Sequence, residues 1–433
     1  MKVLFLSSEV VPFAKTGGLA DVAGALPKAI RQIGHDVRIF MPRYKFVDPK
    51  ETLPGTDIKM YFFENRNFTS RESLYGIDGK DYSDNYEAFL AYCEAVIPFL
   101  LGMKWIPDII HCNDWQSAPL TAFVKKKREE GSFMRTATVY SIHNMAYQGS
   151  FPGREIENFA KAAILSADVI NSVSPTYAKE IQTEDFGAGL QSFMQERTKD
   201  IYGILNGVDY DLWNPAKDQA LVKRYNRNTL SLRTRNKRPL QKEMGLAENE
   251  NIPIIGMTSR LDVQKGFDLI AGAIEEIMKL DCQLIILGTG DPRYHKLLNE
   301  MKERHPDKIG IKLGFDAALA QRIYAGSDMF LMPSRYEPCG LGQLISFKYG
   351  AIPIARKTGG LADTVHDNED GFVFEEYNAQ ALLEAIKRAL SAYKNRSTWN
   401  KMQERVMGYD YSWDASAKKY ISLYVKALDK LIK

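Results

Sequence analysis

The chain alternates short apolar runs with longer stretches of helical spacing, and it does so twice. Val3 to Leu6 is a compact apolar run ending in Ser7, Ser8 and Glu9, the mark of a buried strand running into a loop. Leu19, Val22, Ala23, Leu26 and Ile30 then share one helical face, and HDVRIFMP is the next strand. The series continues through PDIIHC with a helix from Gln116, TATVYSIHN, ADVINSVS with a helix from Pro175, and IYGILNG. Such alternation predicts a parallel sheet covered by helices. Between about Asp211 and Asn251 the pattern weakens into a basic stretch poor in strand signals. It restarts with IPIIGMTSR as a strand and GFDLIAGAIEEIMKL as a helix. Strands follow in CQLIILGTG, DKIGIKLGF, DMFLMPSRYEP and AIPIARKTGG, with a helix in GLGQLISFKYG. The last segment, SWDASAKKYISLYVKALDKLIK, is an amphipathic helix with no strand after it.

A chain of 433 residues is too long for one ordinary core, so two α/β domains are expected. The break in the pattern puts the boundary near Gly245: one domain over 1–245, a second over 246–412, and the final helix over 413–433. Apolar residues at 45% and charged residues at 26% fit a soluble globular protein. A net charge of +3 argues against a broad nucleic-acid surface, yet a small anion needs only a local cluster of cations. Cys93, Cys112, Cys282 and Cys339 have neither disulfide-framework nor metal-knuckle spacing, and the histidines lack metal-ligand spacing, so no metal is expected. A reducing cytoplasm is the simplest compartment. The first apolar run is too short for a signal peptide. The most apolar region, AVIPFLLGMKWIPDII, is broken by two prolines, a glycine and a lysine, so no membrane span is expected.

The string KTGGLAD occurs twice, from Lys15 to Asp21 and from Lys357 to Asp363. Chance would produce this with odds on the order of one in several thousand. The flanks do not match over any longer span, so the repeat is local. Each copy falls at a strand end and a helix start, one per domain, where open α/β sheets bind ligands. At the first copy, Gly17 and Gly18 would let backbone N–H groups approach an anion, and Lys15 adds a charge. A lone Gly-Gly turn reads more simply as a tight structural turn with a solvated lysine, and the second copy shifts the reading toward a ligand loop. The dinucleotide pattern G-x-G-x-x-G is absent.

Arg260 and Lys265 follow the strand IPIIGMT, and Gly266 opens a helix; a strand, two cations and a helix start together suggest a diphosphate site. In SRYEPCGLGQL, Glu337 precedes a helix expected to start near Gly340. Its carboxylate reads either as an acceptor for sugar hydroxyls or as an ordinary N-terminal helix carboxylate. The N–H groups of Gly340 to Gln343, which include Leu341 and Gly342, can face phosphate. Three earlier strands also end in polar residues: Asp114 with Trp115, His143 with Asn144, and Asn206 with Asp209. All three could face one crevice, although a lone histidine is more often structural.

Taken together, SSEVVPFAKTGGLADVAGALPKAI, SIHNMAYQG, SVSPTYAKEI, GILNGVDYDLWNP, TSRLDVQKG, IYAGSDMFLMPSRYEPCGLGQL and TGGLADTV resemble the glycogen/starch synthase family of retaining GT-B glycosyltransferases, in family order along nearly the whole chain. The resemblance implies two facing Rossmann-like domains, a deep interdomain cleft, and a C-terminal helix crossing back to the N-terminal domain. It implies glucose transfer from a nucleotide-glucose, usually ADP-glucose, to the non-reducing end of an α-1,4-glucan, with no metal and no other cofactor. By position it implies that Arg260 and Lys265 meet the leaving diphosphate and that Glu337 binds glucose hydroxyls. His143 would lie beside the sugar, and Asp114, Asn206 and Tyr75 would line the N-terminal wall. Lys15, Gly17, Gly18 and Asp21, with Cys339, Gly340, Leu341 and Gly342, would lie along the donor. The second loop, Thr358, Gly359 and Gly360, would serve the donor or be structural.

Several positions depart from the family pattern. The relatives' Asp-Trp-His reads Asp114-Trp115-Gln116, so Gln116 serves if that position matters. The second glutamate of an E-x₇-E pattern falls at Ile345, and a family arginine is replaced by Ala88. The alternative within the same fold is a transferase that uses UDP-glucose or a small acceptor.

Overall fold

A computed structural model describes residues 1–77 and 79–432 and divides into two compact units. Unit 1 comprises Met1–Gly207 with Trp413–Lys433, and unit 2 comprises Val208–Ser412. The first unit therefore ends at Gly207 and not near Gly245. The reason lies in the basic stretch that lacked strand signals. Its polar side chains are buried against unit 2: Arg233 Nε donates to Tyr349 O at 2.8 Å, and Tyr225 Oη donates to the same carbonyl at 2.7 Å. Lys237 pairs with Asp328 at 2.7 Å. Buried charges of this kind need fixed partners, and these partners belong to unit 2.

Unit 1 carries seven parallel strands: β1 (Lys2–Leu6), β2 (Asp36–Pro42), β3 (Lys59–Phe63), β4 (Ile109–Asn113), β5 (Ala137–Ile142), β6 (Val169–Ser172) and β7 (Ile201–Gly203). Their order is β3-β2-β1-β4-β5-β6-β7. Val3, Leu4, Phe5, Leu6, Ile109, Ile110 and Val139 are fully buried, as expected for strands covered on both faces. The chain order reverses between β1 and β4, which pair from Val3↔Ile109 to Leu6↔Cys112. A doubly wound sheet opens its ligand crevice at that reversal, beyond the C-terminal strand ends.

Unit 2 repeats the plan with six parallel strands: β8 (Ile254–Leu261), β9 (Gln283–Gly290), β10 (Ile309–Leu313), β11 (Met329–Met332), β12 (Ile352–Arg356) and β13 (Phe372–Phe374). The order is β10-β9-β8-β11-β12-β13, so the reversal lies between β8 and β11.

The helix Trp413–Asp429 belongs to unit 1. Trp413, Ala417, Tyr420, Tyr424 and Ala427, spaced alternately four and three residues apart, form its buried stripe. Tyr424 Oη lies 2.8 Å from His111 Nδ1, Asn171 Nδ2 donates to Tyr420 Oη at 3.1 Å, and Ser416 Oγ donates to Leu205 O at 2.8 Å. The aromatic stripe thus carries polar tips that satisfy buried groups of β4 and β6. Among the described residues no helix is long and apolar enough to cross a membrane.

Candidate active site

Of the expected site residues, Arg260, Lys265 and Glu337 lie at or after the ends of β8 and β11, the strands at the reversal in unit 2, and Asp114 follows β4 at the reversal in unit 1. His143, by contrast, follows β5, Asn206 follows the edge strand β7 and Thr358 follows β12. In unit 2, Arg260 lies near the end of β8, and Lys265 ends a short 3-10 turn over Val263–Lys265. Asp262 Oδ1 caps that turn by accepting from Gln264 N at 2.9 Å. Gly266 follows with φ +73°, and a Cβ there would stand 2.1 Å from Pro333 O, so only glycine lets this loop meet the end of β11. Gln264 ties the two loops: its carbonyl accepts from Arg335 N at 2.8 Å, and its Nε2 donates to Tyr336 O at 3.1 Å. This brings Lys265 Nζ to 2.7 Å from Glu337 Oε2, which also accepts from Ser334 Oγ at 2.8 Å. The Arg260 side chain is 52% exposed, and Asp262 and Gln264 each lie 3.5 Å from it, too far to hold it firmly.

The helix after Glu337 begins at Gly342, two residues later than the expected start near Gly340. Gly340 has φ +74°, and a Cβ there would meet Gln343 Oε1 at 2.4 Å, so a left-handed turn is inserted before the helix. Gln343 Nε2 donates to Cys339 O at 3.0 Å and to Thr364 Oγ1 at 3.2 Å.

The two KTGGLAD copies differ in what makes glycine necessary. In the second copy, Thr358 is buried, a Cβ on Gly359 would lie 1.9 Å from Glu337 O, and one on Gly360 would lie 2.0 Å from Cys339 O. Gly360 N donates to Glu337 O at 3.0 Å. The second copy is the backbone bed of the Glu337 loop. In the first copy, a Cβ on Gly17 or Gly18 would meet nothing within 4 Å. Nothing in unit 1's own packing demands glycine at these two positions.

In unit 1 the first copy leads into the helix Gly18–Gln32, and Lys15 Nζ pairs with Asp21 Oδ1 at 2.7 Å. The amides of Thr16 and Gly17 do not point to open space. Both donate to Glu9 Oε2, at 2.5 and 3.2 Å, and Thr16 Oγ1 donates to Glu9 Oε1 at 2.5 Å. Tyr75 Oη, expected on the wall of the site, donates to Glu9 Oε1 at 2.7 Å and lies 2.7 Å from Ser8 Oγ. Glu9 was missed in the sequence because it looked like the polar end of a strand. A carboxylate three residues after an apolar run and seven residues before a Thr-Gly-Gly turn was the available signal.

At the end of β4, Asp114 adopts φ +53°, tolerated by aspartate better than by most residues. Its Oδ1 accepts from His143 N at 2.7 Å and fixes the main chain there. Burial raises the Asp114 carboxyl to about 7 against the backbone hydrogen bonds that lower it, with the Glu9 charge adding to the rise. Asn113 Nδ2 donates to Leu6 O at 2.8 Å, so its Oδ1 faces His143 Nε2 at 2.9 Å. Nε2 therefore carries the hydrogen and Nδ1 is the acceptor. Burial lowers His143 to about 4, so the ring is neutral at pH 7.

Gln116 and Asn206 are both buried, and Gln116 Oε1 and Asn206 Oδ1 find no hydrogen-bond partner among the described residues. Orphaned acceptors of this kind are costly, and Asn85, Asn171 and Gln343 carry others. Phe315, which drew no attention in the sequence, stands 87% exposed just beyond the C-terminal end of β10. Among the described residues no three His, Cys, Asp or Glu side chains gather as metal ligands.

Comparison with known proteins places these two constellations in context. Residues 2–196 match the starch synthase catalytic domain, and residues 241–406 match the glycosyl transferases group 1 family. The glycogen synthase of Geotalea daltonii is 44% identical over 481 aligned positions, covering 99% of each chain. That alignment is longer than the present 433 residues, so the relative carries several tens of residues with no counterpart here. The catalytic domain of starch synthase IV from Arabidopsis thaliana, solved with ADP and acarbose, matches with a TM-score of 0.89 at 32% identity over 99% of both chains. The sucrose-phosphate synthase of Thermosynechococcus elongatus, at 19% identity and a TM-score of 0.69 over 99% of both chains, shares the fold. With full-length identity of this order and both domain families matched in sequence, the chain belongs to the glycogen/starch synthase family of GT-B glycosyltransferases.

Proposed function

We propose that this chain transfers glucose from ADP-glucose to the non-reducing end of an α-1,4-glucan with retention of the α configuration. The observation that carries the reading is the Lys265–Glu337 pair beside Arg260 at the strand-order reversal of unit 2. It sets cations for a diphosphate next to a carboxylate for sugar hydroxyls. As the C1–O bond breaks, positive charge grows on the sugar and negative charge on the departing phosphate. Arg260 and Lys265 stabilise the phosphate side, and fixed charges of this kind are each worth about 3–4 kcal/mol of barrier. Glu337, held by Lys265 and Ser334, accepts from glucose hydroxyls. Phe315 offers an exposed aromatic face for the nucleobase.

In unit 1, Asp114 fixes the main chain at His143, so the His143 carbonyl and neutral ring keep one orientation toward the sugar. Gln116 Oε1 and Asn206 Oδ1 take hydrogen bonds from sugar hydroxyls. The leaving phosphate takes the acceptor's proton on the face from which it departs, and this accounts for retention without an enzymic nucleophile. The ADP found with the Arabidopsis relative favours adenosine over uridine. The test is to incubate the purified chain with ADP-glucose or UDP-glucose and either glycogen or a small sugar acceptor, and to measure released nucleotide and labelled glucan. Transfer confined to a small acceptor would overturn the reading.

A further inference from the structure

The first KTGGLAD copy presents a paradox for an anion-binding loop: a carboxylate already faces it. Glu9 is 3% exposed, and removing a carboxylate from water is costly unless donors surround it. Three of its four donors come from one turn, Thr16 N, Thr16 Oγ1 and Gly17 N, and the fourth is Tyr75 Oη. An anion cannot share the two amides with Glu9. What remains for a phosphate is Lys15, once it exchanges its 2.7 Å pair with Asp21 for the ligand, and the N–H groups at the start of the helix Gly18–Gln32, which have no intrahelical acceptor. Glycine at 17 and 18 leaves space that no group of unit 1 fills within 4 Å.

Resting on the proposed glucosyl transfer, we propose that Glu9 is the positioning residue of this loop. By taking the amide hydrogens of Thr16 and Gly17 it turns the loop so that Lys15 and the helix start meet the donor's phosphates. Glu9 itself touches no substrate. Tyr75 is its brace: the Tyr75 hydroxyl, bonded to Glu9 and Ser8, holds the carboxylate against the loop and is not available as a sugar contact. In the second copy the amide of Gly360, the counterpart of Gly18, is taken by the Glu337 carbonyl, so that copy has no free helix-start amide at this position.

The test is steady-state kinetics of the full chain with ADP-glucose and glycogen, together with thermal unfolding. Glu9→Gln keeps the side chain's size but turns an NH₂ group toward N–H donors. It is expected to raise the donor KM about tenfold or more while the glycogen KM stays within about twofold. Thr16→Val, at an exposed position, removes one donor and is expected to raise the donor KM by a smaller factor. In the double variant the rise is expected to be no larger than in Glu9→Gln alone, because both changes break one contact. A donor KM within twofold of wild type in Glu9→Gln, or equal rises in both KM values, would overturn the proposal. Should Glu9→Gln fail to fold, Thr16→Val decides: an unchanged donor KM in that folded variant overturns it as well. Absence of any glucosyl transfer by the wild-type chain would strike the functional reading instead, so the two failures are distinct.

Discussion

Lys265 Nζ and Glu337 Oε2 lie 2.7 Å apart although 72 residues separate them, and both side chains are largely buried. Such a pair is committed to the fold and, in the proposed function, to the site. Glu337→Leu leaves Lys265 buried and unpaired and is expected to cost about 3–5 kcal/mol of stability. The double variant Lys265→Met/Glu337→Leu is expected to recover most of that loss and none of the activity. Urea unfolding beside an activity assay checks both halves; recovery of turnover in the double variant would remove the pair from the chemistry.

Arg260 is the contrasting case. Its side chain is half exposed, and its nearest polar neighbours lie at 3.5 Å, so Arg260→Ala is expected to leave the unfolding midpoint unchanged. Turnover is expected to fall by roughly two to three orders of magnitude. Near-normal kcat in that variant contradicts the assigned role.

The two KTGGLAD copies should respond differently to the same substitution. Gly360→Ala forces a methyl group against the Cys339 carbonyl and is expected to destabilise by about 1–3 kcal/mol or more. Gly17 has an extended backbone with φ −152° and open surroundings, so Gly17→Ala is expected to fold normally. Its cost is expected in donor KM. Equal melting losses in both variants would contradict the division of labour.

The buried histidines and the buried Asp114 should give unit 1 opposite pH slopes. Burial lowers His111 to about 3 and His143 to about 4, so the unfolded chain takes up protons below about pH 6.5 that the folded chain refuses. Stability from this source falls as pH drops from about 6.5 toward 4. Asp114, raised to about 7, holds a proton that the unfolded chain releases above about 4, so its contribution falls as pH rises through that window. His111→Gln is expected to lose less stability than wild type between pH 7 and 4. Asp114→Asn, acceptable at φ +53°, is expected to gain on wild type from pH 5 to 8. Urea midpoints across pH read both slopes; parallel curves would refute the assignments.

The strand-and-helix alternation was legible because buried parallel strands and amphipathic helices write different periods. The division at Gly207 was not, because the segment that follows is held by scattered buried polar groups such as Arg233 and Lys237, which look like solvated charge in a linear chain. Lys15, Arg260, Lys265 and Glu337 were legible as charges at strand ends. Their partners were not: that Lys265 meets Glu337, or that Glu9 occupies the Thr16 amide, depends on long-range juxtaposition. The repeat left the role of its second copy open between donor contact and structure, and the backbone contacts of Gly359 and Gly360 with the Glu337 loop supply a structural reason for its glycines that the sequence does not show.

The central claim is that side chains of the protein carry the charge of the departing diphosphate during glucose transfer to a glucan. Its most direct test is to incubate the purified chain with ADP-glucose and glycogen in excess chelator and to follow ADP release and the linkage formed. The account predicts equal turnover with and without chelator and new α-1,4-linked glucose at non-reducing ends. Turnover that collapses in chelator and returns with a divalent cation would contradict it.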